Sequence, residues 1–334
     1  MTMRLGWTKG AEMDDDQDRF MAADDGLHTS SADYYETETF WFSFFVPDRA
    51  IGAWLYASVR HNAGGTGGGC WIWDAAGSAP WDLPFYEQFQ HLKAPRQTSP
   101  GRLEFPTGLT VEVREPALSY QLGYDDRNRC RIALRFDALE PPVPLRRGAP
   151  PYPKAAHYDQ TGRVTGHVLL DGERIDVDCY AMRDRSWGRR TERGYRRVGY
   201  TWAASPDLSL LTYTSPEAQQ GGLTPENVHS GYLRRDGRVA RIVGGRRTVH
   251  RDPEHGWITG IDLEAVDDDG RALTGRAEAA SRMILPGGTT VCVNTSLVWN
   301  LDGRTVHGED QDVYPIHEWR RLRSATRSLA GRAG

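Results

Sequence analysis

The chain has 334 residues and a net charge of −4, with hydrophobic and charged residues at 39% and 26%. That balance suits one large or two ordinary globular domains with a sizeable core, and it excludes a disordered chain or a basic nucleic-acid binder. The strongest apolar run, FWFSFFV (40–46), is too short to cross a bilayer, and MTMRLGWTKG has no apolar stretch behind it. A cytoplasmic protein without a signal peptide or transmembrane segment is expected.

Residues 1–35 include AEMDDDQDRFMAADD, acidic and weakly patterned, and read as a flexible N-terminal arm. From 36 to 140, ETETFWFSFFVP, AIGAWLYASVR, GGCWIWDAA, LEFPTGLTVEVRE, LSYQLGY and RCRIALRFDAL are short runs rich in β-branched and aromatic residues, bounded by turn formers. They predict an N-terminal β domain. HNAGGTGGG (61–69) reads as a flexible loop; no Gly-Lys-Ser/Thr and no helix follow it, so it is not a phosphate loop. LEPPVPLRRGAPPYPKAA (139–156) resists helix and central strand alike, which puts a Pro-rich linker at 141–156.

Residues 157–334 carry Asp-Gly pairs at 171–172, 236–237, 269–270 and 302–303, each between strand-like runs. Asp-Gly tolerates positive φ and favours two-residue hairpins, so an up-and-down antiparallel meander is predicted. Only the end is helical: Ile316, Trp319, Leu322 and Leu329 share a face, with Arg320, Arg323 and Arg327 around it. The fold class expected is all-β, two antiparallel β-barrel or sandwich halves with a short C-terminal helix. A small closed barrel can hold one apolar ligand inside.

ERIDVDCYAM alternates as a half-buried strand does, and RDRSWGRR (183–190) follows it without a spacer. A carboxylate at a strand end beside an indole is partly desolvated, which makes Asp184 a candidate general acid. Arg183 and Arg185 favour its charged form, and a structural Asp–Arg latch stays open as the alternative. His157 is a candidate proton shuttle, with Asp159 on the same strand face. Tyr200, Trp202, Tyr213, Trp41, Trp71, Trp73, Trp187 and Trp299 are candidates to line an apolar cavity, where ring faces would stabilise a developing cation. His307, Glu309 and Asp310 follow a hairpin turn and read as solvated charges, and His250 and His255 as loop residues. Cys70, Cys130, Cys179 and Cys292 lack paired spacing and read as free thiols. No metal and no cofactor is expected, and no Gly-x-Ser-x-Gly elbow supports a hydrolase.

HYDQTGRVTGHVLLDGERIDVDCYAMRDRSWGRR resembles a segment of the carotenoid 1,2-hydratase-like superfamily, through the Asp-x-x-Trp-Gly element Asp184 to Gly188. ETETFWFSFFVPD, LRFDALEPP and SLVWNLDGRTVHGEDQ also look like its uncharacterised bacterial branch, whose relatives include tocopherol-cyclase-type and Diels–Alderase-type cyclases. Many relatives have His where this chain has Arg185, and the hydratases commonly have Tyr where it has Met182. The resemblance implies two lipocalin-like halves. It also implies a cofactor-independent lyase (hydratase) or isomerase/cyclase acting on a hydrophobic isoprenoid, polyketide or steroid-like molecule by acid-assisted hydration, isomerisation or cyclisation. In that chemistry Asp184 would be the acid, His157 the relay and Arg183 an orienting group. A non-catalytic carrier of a lipophilic ligand and a pericyclase without proton transfer are the alternatives. The expected partner is a small hydrophobic molecule and not a nucleic acid; homodimerisation is left open.

Overall fold

The structure, a computed structural model, describes residues 20, 22–28, 32–144, 156–190, 197–216 and 223–333. Strands dominate it. They are β1 (Glu36–Val46), β2 (Ile51–Arg60), β3 (Gly65–Trp73), β4 (Phe85–Leu92), β5 (Arg96–Ser99), β6 (Arg102–Glu104), β7 (Leu109–Glu115), β8 (Ser119–Asp125), β9 (Cys130–Ala138), β10 (Val143–Pro144), β11 (Ala156–Leu170) and β12 (Glu173–Arg189). These twelve form one antiparallel sheet that curls into a half-barrel, in the order β4-β3-β2-β1-β12-β11-β9-β8-β7-β6-β5, with β10 beside β11. Then β13 (Val198–Ala204), β14 (Leu208–Pro216), β15 (Leu223–Arg235), β16 (Arg238–Arg251), β17 (Ile258–Asp267), β18 (Ala272–Pro286), β19 (Thr290–Leu301) and β20 (Arg304–Pro315) close an up-and-down barrel. The chain ends in α1 (Ile316–Ala333), and no helix among the described residues is long and apolar enough to cross a membrane.

The all-β fold is as expected, but the change of sheet is not at 141–156. The long β11–β12 hairpin inserts between β1 and β9, so the barrel begins only at Val198. Residues 145–155 of the Pro-rich stretch lie outside the described residues, and the two strands that follow find their partners in the first sheet.

Burial along β12 records where it travels. Ile175, Val177 and Cys179 are buried while Asp176 and Asp178 are exposed; from Ala181 to Ser186 both faces are covered. β1 is buried on both faces too, which explains the unbroken FWFSFFV run. Phe42 packs into the concave side of the sheet, on Tyr120 and Phe136 at 6.0 and 6.1 Å between ring centroids. Trp41 and Phe45 point outward against the barrel, on Trp202 at 6.5 and 5.5 Å. The contact between the outer face of the sheet and the barrel wall is a seam. It is stapled by the Thr161–Ser209 hydroxyl bond (2.7 Å) and by Glu140, which accepts from Thr161 and Tyr232 and pairs with Arg234.

Three Asp-Gly pairs make the expected turns: Asp171, Asp236 and Asp302 have φ of 50°, 52° and 47°, each followed by a positive-φ glycine. Other expectations change. HNAGGTGGG is a short 3-10 turn (His61–Ala63) followed by β3, whose glycines let strands close in; a Cβ on Gly69 would lie 1.9 Å from the Glu87 carbonyl oxygen. Within the supposed flexible arm, Ala22–Asp25 is a docked 3-10 turn. Tyr120 donates to Asp25 at 2.5 Å, and Arg185 donates to the Asp25 and Gly26 carbonyls. Residues 1–19, 21 and 29–31 lie outside the described residues. On α1, Leu322 is buried and Trp319 packs on Tyr314, but Ile316 is exposed, and the Leu329 side chain is outside the described set. The four cysteines are free, with Cys70, Cys130 and Cys179 buried and Cys292 half-buried.

Candidate functional site

Register delivers the seam's polar residues. Asp184 lies opposite Trp41 on β1 and opposite Asp159 on β11, with His157 opposite Ser186 next to them. Side chains alternate across a strand, so Met182, Asp184 and Ser186 face the seam while Arg183, Arg185 and Trp187 face the concave side. Gly188, the last residue of the Asp-x-x-Trp-Gly element, has φ of 126°, which favours glycine.

In the seam, Asp159 accepts from Tyr200 Oη (2.8 Å) through Oδ1 and from Tyr213 Oη (2.9 Å) through Oδ2. His157 Nε2 lies 2.8 Å from Tyr213 Oη and 3.1 Å from Asp159 Oδ2. Side-chain atoms of His157, Asp159 and Asp184 come within 4.8 Å of one another, with His157 and Asp159 buried and Asp184 half-buried. Burial, then the neighbouring Asp159 carboxylate, pushes the Tyr200 hydroxyl well above the ordinary phenol range, so it stays a donor. Tyr200 Oη also sits 2.7 Å from Met182 Sδ. A tyrosine hydroxyl from the barrel thus reaches Met182. One imidazole and two carboxylates can also hold a divalent cation, although both Asp159 oxygens already accept phenol protons.

Arg183 and Arg185, the open candidates for a latch on Asp184, lie on the other face of β12. The Arg183 guanidinium lies 4.0 Å from the Tyr120 ring centroid on the concave side and donates to Tyr158 Oη. Arg185 lies 3.6 Å over the Phe40 ring and pairs with buried Glu38. Trp187 stacks on His28 at 3.8 Å on that same side, away from the seam. These three residues bind β12 to the half-barrel and the docked N-terminal turn.

Tyr200, Tyr213, Trp202, Trp41 and Trp73 do meet in or beside the seam, with Trp71 behind Trp54. Trp73 Nε1 donates to Ser296 Oγ across it (2.9 Å). Trp299 does not join them. It lies inside the barrel among Ala277, Leu263, Leu297 and Leu301. The barrel interior is not an apolar ligand cavity either. Its other end is filled by Arg197, Arg247 and Arg251 with Glu226, Asp310 and Asp312, all buried. Arg197 pairs with Glu226 (2.5 Å) and Asp312 (2.6 Å), Arg247 with Glu226 (2.9 Å) and Asp310, and Arg251 with Asp312 (2.6 Å). A shallow open concavity of about 670 Å³ lies on the barrel's outer wall, lined by charged residues such as Arg246, Glu264 and Arg276 and remote from the seam cluster.

HGEDQD is therefore not a solvated tail of a hairpin. Asp310 points into the barrel network, and Glu309 points into the seam and is fully buried. Glu309 and its donor Trp54 were not legible as site residues. The alternation of β20 was the available signal, since it puts Glu309 on the face opposite Asp310.

Among solved structures, the fold is similar to a protein named as a candidate AttH from Nitrosomonas europaea, with TM-score 0.57 and 12% identity over 94% of this chain and 99% of that one. CghA matches at TM-score 0.54 and 12% identity, over 87% and 93% of the two chains. Kievitone hydratase from Nectria haematococca matches at 0.53 and 10%, over 83% and 88%. At such identities the likeness is one of fold. No curated protein matches the sequence. The family model described as a domain of unknown function, DUF7064, matches residues 21–310, and the chain belongs to that family.

Proposed function

We propose that the protein is an enzyme that takes a hydrophobic small molecule into the seam and adds water to it, isomerises it or cyclises it by acid assistance. The observation that carries this reading is the meeting of Asp184, Asp159 and His157 on one covered face, with Tyr200 and Tyr213 from the barrel. The fold likeness to kievitone hydratase supports it, as does the resemblance of the Asp184–Gly188 element to the carotenoid 1,2-hydratase-like superfamily.

In the hydration form, Asp184 gives its proton to one carbon of a double bond and water adds to the other carbon. The water's surplus proton goes to His157, and return of that proton to Asp184 resets the site. Asp159 and Tyr213 fix the imidazole. Trp41 and Tyr200 cover the apolar skeleton, and their ring faces favour positive charge at the carbon that receives water. Arg183 has no part in this step, because it faces the other side of β12.

The test is to extract the small molecule that purifies with the protein and return it to fresh protein in heavy-oxygen water. Labelled or isomerised product from wild type, and none from Asp184→Asn, is the expected result. Ligand returned unchanged by wild type would make the protein a carrier. Equal turnover by Asp184→Asn would remove proton transfer from Asp184.

A further inference from the structure

Glu309 is a buried carboxyl that the reaction above does not use. It lies on β20 one strand over from Trp202, and on β13 Trp202 is two residues beyond Tyr200 on the same face. That puts it roughly 7 Å along the seam from the Asp159 cluster, by strand geometry. Its Oε1 accepts from Trp54 Nε1 (2.8 Å), from the Asn294 amide turned to face it (2.9 Å), and from Gln311 (3.4 Å). Its Oε2 has no hydrogen-bond partner among the described residues. No cation pairs with it among the described residues. The charged and titratable groups near it are Asp310 and Asp312 on its own strand, which face the barrel interior, and Cys292 on β19. Burial pushes its carboxyl up to about 8, against the three donors, so at neutral pH it carries a proton.

The indole nitrogens of Trp41 and Trp202 are likewise buried without a partner among the described residues, and those two rings meet edge to face across the seam at 6.5 Å. Among the described residues, the two indole N–H groups and the protonated Glu309 Oε2 are therefore donors that make no hydrogen bond. Buried donors are satisfied in functioning proteins, and an acceptor-bearing ligand satisfies these.

We infer that Glu309, with Trp41 and Trp202, receives the carbonyl oxygen of the ligand, and that the substrate class is a flat conjugated ketone whose double bond lies toward Asp184. This rests on the seam being the substrate site. In the reaction, water adds to the carbon remote from the carbonyl, the double-bond electrons move toward that carbonyl, and the carbon next to it takes the Asp184 proton. Glu309 donates a hydrogen bond to the carbonyl oxygen throughout and keeps its own proton, so the net change is one water added.

The test uses two probes on the full chain, trans-chalcone and its carbonyl-free analogue trans-1,3-diphenylpropene, with infrared difference spectra and calorimetry. Wild type is expected to show a neutral-acid carbonyl band that fades as pH rises through about 8 and is absent from Glu309→Gln. Chalcone should shift that band and bind about tenfold more tightly than the analogue. Absence of the band overturns the inference. Binding of both probes with equal affinity overturns it as well, but leaves the seam as the site; binding of neither removes both readings.

Discussion

The seam and the barrel interior both bury carboxylates, yet they solve the problem differently. In the barrel, Glu226, Asp310 and Asp312 each meet one or more of three arginines, and the network plugs the space where a lipocalin-like fold could hold a ligand. In the seam, Asp159 meets phenols and an imidazole and Glu309 an indole, while Glu140 pairs with Arg234. The nearest arginines by sequence, Arg183 and Arg185, point to the other face of β12. A carboxylate locked to guanidinium stays ionised and holds structure, whereas one facing neutral donors can carry and pass a proton. The difference teaches that burial alone does not identify chemistry; the partner does.

The largest separation between the regions is expected in Asp184→Asn. Turnover of the extracted ligand should fall about 10²–10⁴-fold, the usual worth of a general acid, while the denaturation midpoint stays near wild type. A matching loss of stability would make Asp184 a structural residue like those in the barrel. Arg247→Met should do the reverse. It strands Asp310 without its cation, leaves Glu226 with Arg197 alone, and should cost about 3–5 kcal/mol in urea denaturation; a change below about 1 kcal/mol would show that the network is not a structural plug.

Glu309→Gln sharpens the comparison through pH. The folded-state value of Glu309, about 8, lies above its ordinary value of 4.5, so its favourable contribution is whole below 4.5 and is lost as pH rises through 8. The variant should lack that decline in stability. Glu38 runs the other way: burial raises it, but His28, Arg185 and His61 outweigh burial and hold it below 4.5. Its contribution is present above 4.5 and is lost as pH falls through the lower folded value, so acid should loosen the docked N-terminal turn first. The smallest effect is at the strand end, where Gly188→Ala forces a side chain onto φ of 126° and should cost about 1–3 kcal/mol in thermal or urea melts.

Much of the fold was legible because alternation and turn chemistry are local. RIDVDCY and CRIALRFDAL read as strands and are strands, and Asp-Gly marks three tight hairpins. What pairs with what is not local. Nothing near the Pro-rich stretch tells that β11 and β12 return to the first sheet. Asp184, His157, Tyr200 and Tyr213 are candidates by residue type, and the fold brings them to one seam. Arg183 does not join them, because neighbours in a strand face opposite ways. Glu309 was hidden because HGEDQD looks hydrophilic, and only the packing of β20 against Trp54 buries it.

The most direct measurement is a crystal structure of the protein carrying its extracted ligand. The expectation is a ligand in the seam, beside Trp41 and Trp202, with a reacting carbon facing Asp184. A ligand inside the barrel beside Trp299, or on the concave face beside Arg183, would contradict it.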